Sequence, residues 1–224
     1  MDRSPEKWER THLQFDNVGI PIERFPAVDG RSLEIPTICP YSGAPIVMSH
    51  GQYGCYLSHL AVIQEAKNQD LDYVLIFEDD VELCEDFSER LHYLFKSSLD
   101  FDMFYFGCDF GNDRLEPTGV QMIYKYNGGA GTHGYMLSKS IYDYILSNFR
   151  FDRAIDGFYS TAIGGSPDSR LHNKQTFNIK GFWPQAVGFY HSFSETSETQ
   201  PSIENHKMRN IHFRKQRIFE HKGP

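Results

Sequence analysis

The amino-acid sequence predicts an α/β protein with a mainly parallel, Rossmann-like sheet flanked by helices. Segments with strand character alternate with segments whose apolar residues recur at helical spacing, and no internal repeat interrupts this order. The continuous apolar run at residues 74–77 is typical of a parallel strand buried on both faces. At 224 residues the chain can bury one sizeable core, so we expect a single domain in residues 1–200, followed by a basic tail in residues 201–224.

Helices are predicted where apolar periodicity follows a start signal. The first begins at Ser4, a favourable N-cap, with Pro5 in its first turn. The glycine-rich segment 127–149 is typical of a strand followed by a helix. Further helices are expected in residues 54–69, 85–98 and 154–163.

Strands are predicted from short runs rich in β-branched and aromatic residues. The segment 22–33 indicates a short strand with a turn at Asp29-Gly30, because an Asp-Gly pair favours tight turns. Further strands are expected in residues 71–77, 102–107, 120–126 and 175–184.

Composition excludes some classes of function. The net charge of −8 gives no general attraction to nucleic acid. The tail is locally basic between residues 207 and 222, which indicates either a solvated terminus or a peripheral contact with anionic lipid. The four cysteines lack zinc-type spacing and are expected to be reduced, mostly buried thiols. With no membrane-length apolar run and a polar start, the chain is expected to be cytoplasmic.

An acidic trio follows the apolar run directly. Glu78 and Asp80 are two residues apart at a strand end, so their side chains are expected on the same side, with Asp79 pointing away. Two hard oxygen ligands on one side suit Mg²⁺ or Mn²⁺. The alternative is a solvated turn that starts the helix near Glu85.

A glycine-rich frame surrounds His133. The segment 127–138 contains several glycines, including Gly134, and lets the backbone approach a ligand closely. Neither a P-loop nor a dinucleotide-binding fingerprint is present, so a structural turn with a surface histidine is the alternative. Taken alone, Asp156 is typical of an exposed helix acid and His191 of a hydrogen-bonded structural residue.

Five ordered motifs carry a resemblance to a known family. The stretches MDRSPEKWER…IPIERFPAVDG, GCYLSH, FEDDVEL, AGTHGYMLSKSIYDYI and AIDGFY resemble glycosyltransferase family 25 in order and approximate spacing, over residues 2–195. That family includes bacterial lipooligosaccharide galactosyltransferases and collagen galactosyltransferases. The resemblance implies a GT-A type fold, a nucleotide-sugar donor, a divalent metal held by a DxD-like motif, and inversion at the anomeric carbon. Family members usually begin with a hydrophobic strand, which is expected to be shortened or absent here.

The resemblance also implies roles for individual residues. Asp156 is expected to be the catalytic base that takes the acceptor proton. The expected metal ligands are Glu78, Asp80 and His191. The residues expected to contact the donor are Asp2, Arg3, Ser58, His59, Asp79, His133 and Gly134.

We therefore expect an inverting, metal-dependent glycosyltransferase. It would use Mn²⁺ or Mg²⁺ to move a hexose, most simply galactose from UDP-galactose, to a hydroxyl of a glycan or of a collagen-like protein. Two alternatives remain open at this point. One is a metal-dependent hydrolase or phosphotransferase that uses the same acids, and the other is a catalytically silent sugar-binding or assembly module of the same fold.

Overall fold

The structure is a computed structural model of the chain. It describes residues 5–39, 43, 45–109, 115–126, 130–163 and 177–189. Three predicted site residues, Asp2, Arg3 and His191, and the basic tail in residues 201–224 lie outside the described residues.

The described residues contain five α-helices. Their bounds are α1 Pro5–Asn17, α2 His50–Asn68, α3 Phe87–Lys96, α4 Lys139–Asn148 and α5 Ile155–Phe158. Helix α5 continues into a π-helical turn at Tyr159–Ile163, and a 3₁₀ turn lies at Gly30–Ser32. These bounds confirm every helix predicted from the sequence, although α2 begins four residues earlier than expected. In this part of the chain no helix is both long and apolar enough to cross a membrane.

Within the described residues, eight strands form two sheets. Their bounds are β1 Tyr73–Phe77, β2 Val81–Leu83, β3 Met103–Asp109, β4 Leu115–Pro117, β5 Ile123–Tyr126, β6 Ala130–Ser138, β7 Ile179–Phe182 and β8 Val187–Phe189. The larger sheet has the order β1-β6-β3-β7-β5-β4, and the smaller one pairs β2 with β8.

The prediction of a mainly parallel sheet is wrong. Only the β3–β7 pair of the larger sheet is parallel, and its other four pairs are antiparallel. The physical reason is the connection between strands. A parallel neighbour needs a long crossover, usually a helix, whereas no helix is described between β3 and β6. Strand β6 therefore returns between β1 and β3 and runs opposite to both.

Helices cover both faces of the larger sheet. Alternation along β3 turns Met103 and Tyr105 towards one apolar cluster, which includes residues of α2, α4 and α5. Phe104 and Phe106 point to a second cluster, which includes Phe15 of α1 and residues of α3. The fold is thus a three-layer arrangement of helices, sheet and helices, which confirms the α/β class.

Helix α2 is fixed at its start by a cap and by two glycines. Ser49 and Gln52 form a reciprocal capping box, which accounts for the early start at His50. A Cβ atom on Gly54 would lie 2.6 Å from the carbonyl oxygen of Val28 and 2.7 Å from the nitrogen of Gly30. Because glycine has no Cβ, the chain before the 3₁₀ turn can pack directly on the helix.

The strand predicted within residues 22–33 is not formed, although all of these residues are described. The backbone N–H of Val28 donates instead to the Ser58 hydroxyl of α2 at 2.8 Å. The Asp29 carboxylate accepts the N–H of Arg31 at 3.1 Å and caps the 3₁₀ turn. Helix α2 therefore takes the place of a neighbouring strand as a hydrogen-bonding partner for this segment.

Candidate active site

The acidic trio lies where β1 ends beside the start of β6. Phe77 pairs with Gly134, and the N–H of Glu78 donates to the carbonyl of His133 at 3.1 Å. Two widely separated parts of the chain therefore place their functional side chains at one edge of the sheet. This edge lies at the carboxyl end of β1, where open α/β sheets often bind ligands.

Glu78 is held by side chains from α2 and β6. The Thr132 hydroxyl donates to its Oε1 atom, and Nε2 of His59 lies 3.7 Å from the same oxygen. Burial alone would raise the pKa of Glu78, but interactions with His59, His133 and Thr132 lower it to about 2. The carboxylate is therefore ionised at neutral pH.

His59 is oriented by the sheet beneath α2. Its Nδ1 atom lies 2.6 Å from the hydroxyl of Tyr135, and the two rings stack. The Tyr135 hydroxyl lies 3.2 Å from that of Tyr159, and burial raises the pKa of both phenols, so both remain protonated. This chain of hydrogen bonds directs Nε2 of His59 towards Glu78.

Asp80 carries an unsatisfied buried oxygen. Its Oδ1 atom is buried and has no hydrogen-bond partner among the residues that the structure describes. Burial and the nearby Glu78 carboxylate raise the pKa of Asp80 to about 6, although His133 and Lys7 act in the opposite direction. A buried carboxylate oxygen without a donor is costly unless a cation satisfies it. The oxygens of Glu78 and Asp80 therefore fit a hard divalent ion.

Helix α1 fixes the backbone of the acidic turn. The carbonyl oxygen of Asp79 accepts hydrogen bonds from the Thr11 hydroxyl at 3.0 Å and from Nη2 of Arg10 at 3.3 Å. The Gln14 amide binds the carbonyl of Val81 and the N–H of Leu83, each at 3.0 Å. These contacts hold the turn through its backbone atoms and do not use its carboxylates.

Asp156 lies at the same edge, in the first turn of α5. Its Oδ2 atom accepts the N–H of Gly131 at 3.2 Å, and Oδ1 accepts the N–H of Gly157 at 2.7 Å. Gly131 precedes Thr132 in β6, and consecutive Cα atoms are about 3.8 Å apart. Adjacent residues of one strand thus hold Asp156 and Glu78, which brings together the predicted base and a predicted metal ligand.

His133 and Gly134 follow Thr132 in β6, the strand that contacts both acids. Interaction with His133 lowers the pKa of both Glu78 and Asp80, so this residue lies close to both acids, and its donor contact remains a prediction. Gly134 is enclosed by protein, since a Cβ atom there would lie 3.0 Å from the Phe77 ring and 3.3 Å from Val187. The described contacts of Gly134 therefore concern packing.

Ser58 has a structural role in the described contacts. Its hydroxyl donates to the carbonyl of Gly54 at 2.7 Å and accepts the N–H of Val28. The predictions for donor contact at Asp2 and Arg3 and for metal binding at His191 remain predictions.

Sequence reasoning missed Cys55, which lies close to His59 and Glu78. Cys55 lies on α2, one turn before His59, and the pKa of its thiol is raised first by burial and then by the charges of Glu78, Asp156 and Asp80. All four cysteines are free thiols, as predicted, and Cys55 is the one that is only partly buried. The signal was present in GCYLSH, because residues four apart share a helix face.

Comparisons with known proteins identify the same family that the sequence motifs resemble. A family model described as Glycosyltransferase family 25 (LPS biosynthesis protein) matches residues 1–158. Among curated relatives, a glycosyltransferase 25 family member of Drosophila pseudoobscura pseudoobscura is 28% identical over 155 residues, which cover 62% of this chain and 24% of the relative. Procollagen galactosyltransferase 2 of Mus musculus is 31% identical over 104 residues, which cover 39% of this chain and 16% of the relative.

A third relative carries a different label. The inactive glycosyltransferase 25 family member 3 of Mus musculus is 30% identical over 123 residues, which cover 48% of this chain and 20% of the relative. The chain thus spans a quarter or less of the length of these relatives. Because the family model matches well over half of the chain, the resemblance is confirmed, and the chain belongs to glycosyltransferase family 25.

Proposed function

We propose that the chain is an inverting, metal-dependent glycosyltransferase that moves galactose from UDP-galactose to a hydroxyl of a glycan or protein acceptor. Family membership supports sugar transfer, and the name of the mouse procollagen galactosyltransferase supports galactose as the sugar. The observation that carries the proposal is the buried Oδ1 atom of Asp80 beside Glu78 at the end of β1. We include a GT-A type fold in the proposal, and the three-layer α/β architecture supports it.

Glu78 and Asp80 would hold Mn²⁺ or Mg²⁺. Their oxygens suit hard cations, which bind through one or two carboxylates and keep positions for phosphate oxygens and water. When bound, such an ion supplies positive charge that stabilises the departing diphosphate. His133 lies close enough to influence both carboxylates and would add a contact at the donor side of the site.

Asp156 would be the catalytic base that takes the proton from the acceptor hydroxyl. As the acceptor oxygen bonds to the anomeric carbon, the carbon–diphosphate bond breaks and the hydroxyl proton passes to the Asp156 carboxylate. The N–H groups of Gly131 and Gly157 fix this carboxylate, and each of its oxygens retains a lone pair for the acceptor hydroxyl. Attack from the face opposite the leaving group inverts the configuration.

A catalytically silent module is the second candidate. A relative labelled inactive is as similar to this chain as those labelled glycosyltransferases, at 30% identity. Such a module would keep the fold without metal-dependent donor binding.

Calorimetry followed by a transfer assay tests the proposal. We expect UDP to bind the full chain more tightly with Mn²⁺ than with EDTA, and UDP-galactose to yield UDP in the presence of an acceptor from a panel of oligosaccharides and collagen peptides. Glu78→Gln should abolish the metal-dependent part of the heat, whereas Glu89→Gln, an exposed acid of α3, serves as the matched control. Absence of metal-dependent UDP binding would support the silent module, and release of free galactose without acceptor would indicate a hydrolase.

A further inference from the structure

Three potential metal ligands of mixed type converge at the sheet edge. Cys55 and His59 lie one turn apart on α2, and Glu78 follows β1. One ligand atom of each residue lies within 4.8 Å of the others. Ligands of a tetrahedral zinc ion, with bonds of about 2.0–2.3 Å, are roughly 3.3–3.6 Å apart. Small side-chain adjustments would therefore bring these three atoms into a common coordination sphere.

The imidazole of His59 is already oriented for coordination. Its Nδ1 atom lies 2.6 Å from the Tyr135 hydroxyl, and its Nε2 atom lies 3.7 Å from Oε1 of Glu78. The tautomer with its proton on Nδ1 would present the Nε2 lone pair towards that oxygen. Two electron-rich atoms face each other favourably only with a proton or a cation between them.

The partners of these ligands resemble the outer shell of a metal site. Tyr135 fixes the second nitrogen of His59, and the Thr132 hydroxyl fixes the Glu78 carboxylate. Such outer contacts hold a ligand in its coordinating orientation and raise metal affinity. His59 is buried, whereas Cys55 and Glu78 are partly exposed, so the cluster lies between the core and the surface.

We propose that Cys55, His59 and Glu78 form a Zn²⁺ site with water in the fourth position. A thiolate and an imidazole select zinc over magnesium or manganese, which prefer oxygen ligands. Binding forms three metal–protein bonds and releases the thiol proton to solvent. Because Glu78 also belongs to the proposed pair for Mn²⁺ or Mg²⁺, zinc would compete with that ion for the carboxylate. The proposal does not depend on glycosyl transfer.

Direct metal binding to the full chain, without donor or acceptor, tests the site. Zn²⁺ is titrated in competition with a chromophoric chelator, and Co²⁺ is used as a spectroscopic substitute. We expect one site, with thiolate-to-cobalt charge-transfer absorption in the near ultraviolet. Cys55→Ser should remove this band and weaken zinc binding at least roughly tenfold, and Glu78→Gln should weaken it similarly.

Cys84→Ser is the matched control. Cys84 is a buried thiol in contact with Asp86, away from the cluster, and a serine hydroxyl keeps a donor there. This variant should bind zinc as the wild type does. Wild-type zinc affinity in Cys55→Ser, a cobalt spectrum without a thiolate band, or no zinc binding to the wild type would each overturn the proposal.

Manganese binding separates this inference from the proposed function. Cys55→Ser retains Glu78 and Asp80, so Mn²⁺-dependent UDP binding should persist in that variant. If zinc binds as expected while UDP shows no dependence on Mn²⁺, the zinc site stands and the proposed function fails. If Mn²⁺-dependent UDP binding is seen but zinc does not require Cys55, the zinc site fails alone.

Discussion

The Nδ1 atom of His59 lies 2.6 Å from the phenolic oxygen of Tyr135, so a residue of α2 is fixed by a residue of the central sheet. Both side chains are buried, so loss of the contact would leave their polar atoms without this partner. This hydrogen bond connects the stability of the core to the orientation of the His59 imidazole.

Tyr135→Phe should destabilise the protein by about 1–3 kcal/mol, because it leaves buried polar groups of His59 and Tyr159 without their partner. Tyr142→Phe is the matched control, since the Tyr142 hydroxyl is buried and has no hydrogen-bond partner in the described part of the chain. Denaturant unfolding should show a loss in the first variant and no loss in the second. Equal effects in both would mean that the His59 contact contributes nothing.

Asp80→Asn should stabilise the metal-free protein at pH 7 while abolishing transfer. Burial and the Glu78 carboxylate make the ionised form of Asp80 unfavourable in the folded protein, and an asparagine in its place carries no charge. We expect a gain of about 1–3 kcal/mol, because each unit of pKa shift corresponds to about 1.4 kcal/mol. Mn²⁺ should raise the Tm of the wild type and not that of the variant. An unstabilised, fully active variant would contradict both parts.

The stability gained in Asp80→Asn should depend on pH in a defined direction. The pKa of Asp80 is raised from 3.8 to about 6 in the folded protein, so the folded state binds more protons between these values. Ionisation therefore lowers wild-type stability as the pH rises through this window. Thermal unfolding should show the largest difference between the two proteins above pH 6 and a shrinking one towards pH 4. A difference that grows on acidification would contradict the shift.

Asp156→Asn should lower kcat by roughly 10²–10⁴-fold, the usual contribution of general-base catalysis, while Mn²⁺ and UDP still bind. The acidic limb of the pH–rate profile should disappear with the base. A modest loss of stability is also expected, because the amide keeps only one acceptor oxygen and so loses one of the two hydrogen bonds from the N–H groups of Gly131 and Gly157. Asp152→Asn, on the chain just before α5, is the control. A change in donor KM alone would place Asp156 at the donor instead.

Gly54→Ala should destabilise the protein by about 1–3 kcal/mol through overpacking. The new methyl group would meet backbone atoms of Val28 and Gly30, which cannot move aside as a flexible side chain can. Gly157→Ala is the matched control, since its nearest neighbours are the side-chain atoms of Arg153. Denaturant unfolding of the two variants should therefore diverge, and equal stabilities would argue against a tight contact at α2.

Features with a strong local signal were predictable from the sequence. The run Val74 to Phe77 forms β1, and the acids that follow it lie at the expected edge of the sheet. The start of α2 was missed by four residues, although Ser49 and Gln52 have the spacing of a capping box. The three-residue strands β2, β4 and β8 are too short to show a period of two.

Strand direction and the contacts across the site could not be predicted in this way. A local apolar pattern does not reveal which way a strand runs, and β6 returns between β1 and β3 without an intervening helix. The contact between His59 and Tyr135 joins residues 76 positions apart, so it depends on the tertiary fold alone. The four-residue spacing of Cys55 and His59 was a local signal. The third member of their cluster, Glu78, follows β1, which only the tertiary fold brings beside α2.

Strand β7 pairs with β3 on one side and with β5 on the other, although it follows the segment matched by the family model. A fragment ending at residue 158 would therefore lack the strand that joins the β4–β5 pair to the rest of the sheet. It would expose unpaired edges on β3 and β5, and such edges favour aggregation. The smallest unit able to fold on its own thus extends through β7, and through Phe189 if β2 is to keep its partner. Domain limits drawn from family similarity would cut this protein through the middle of its sheet.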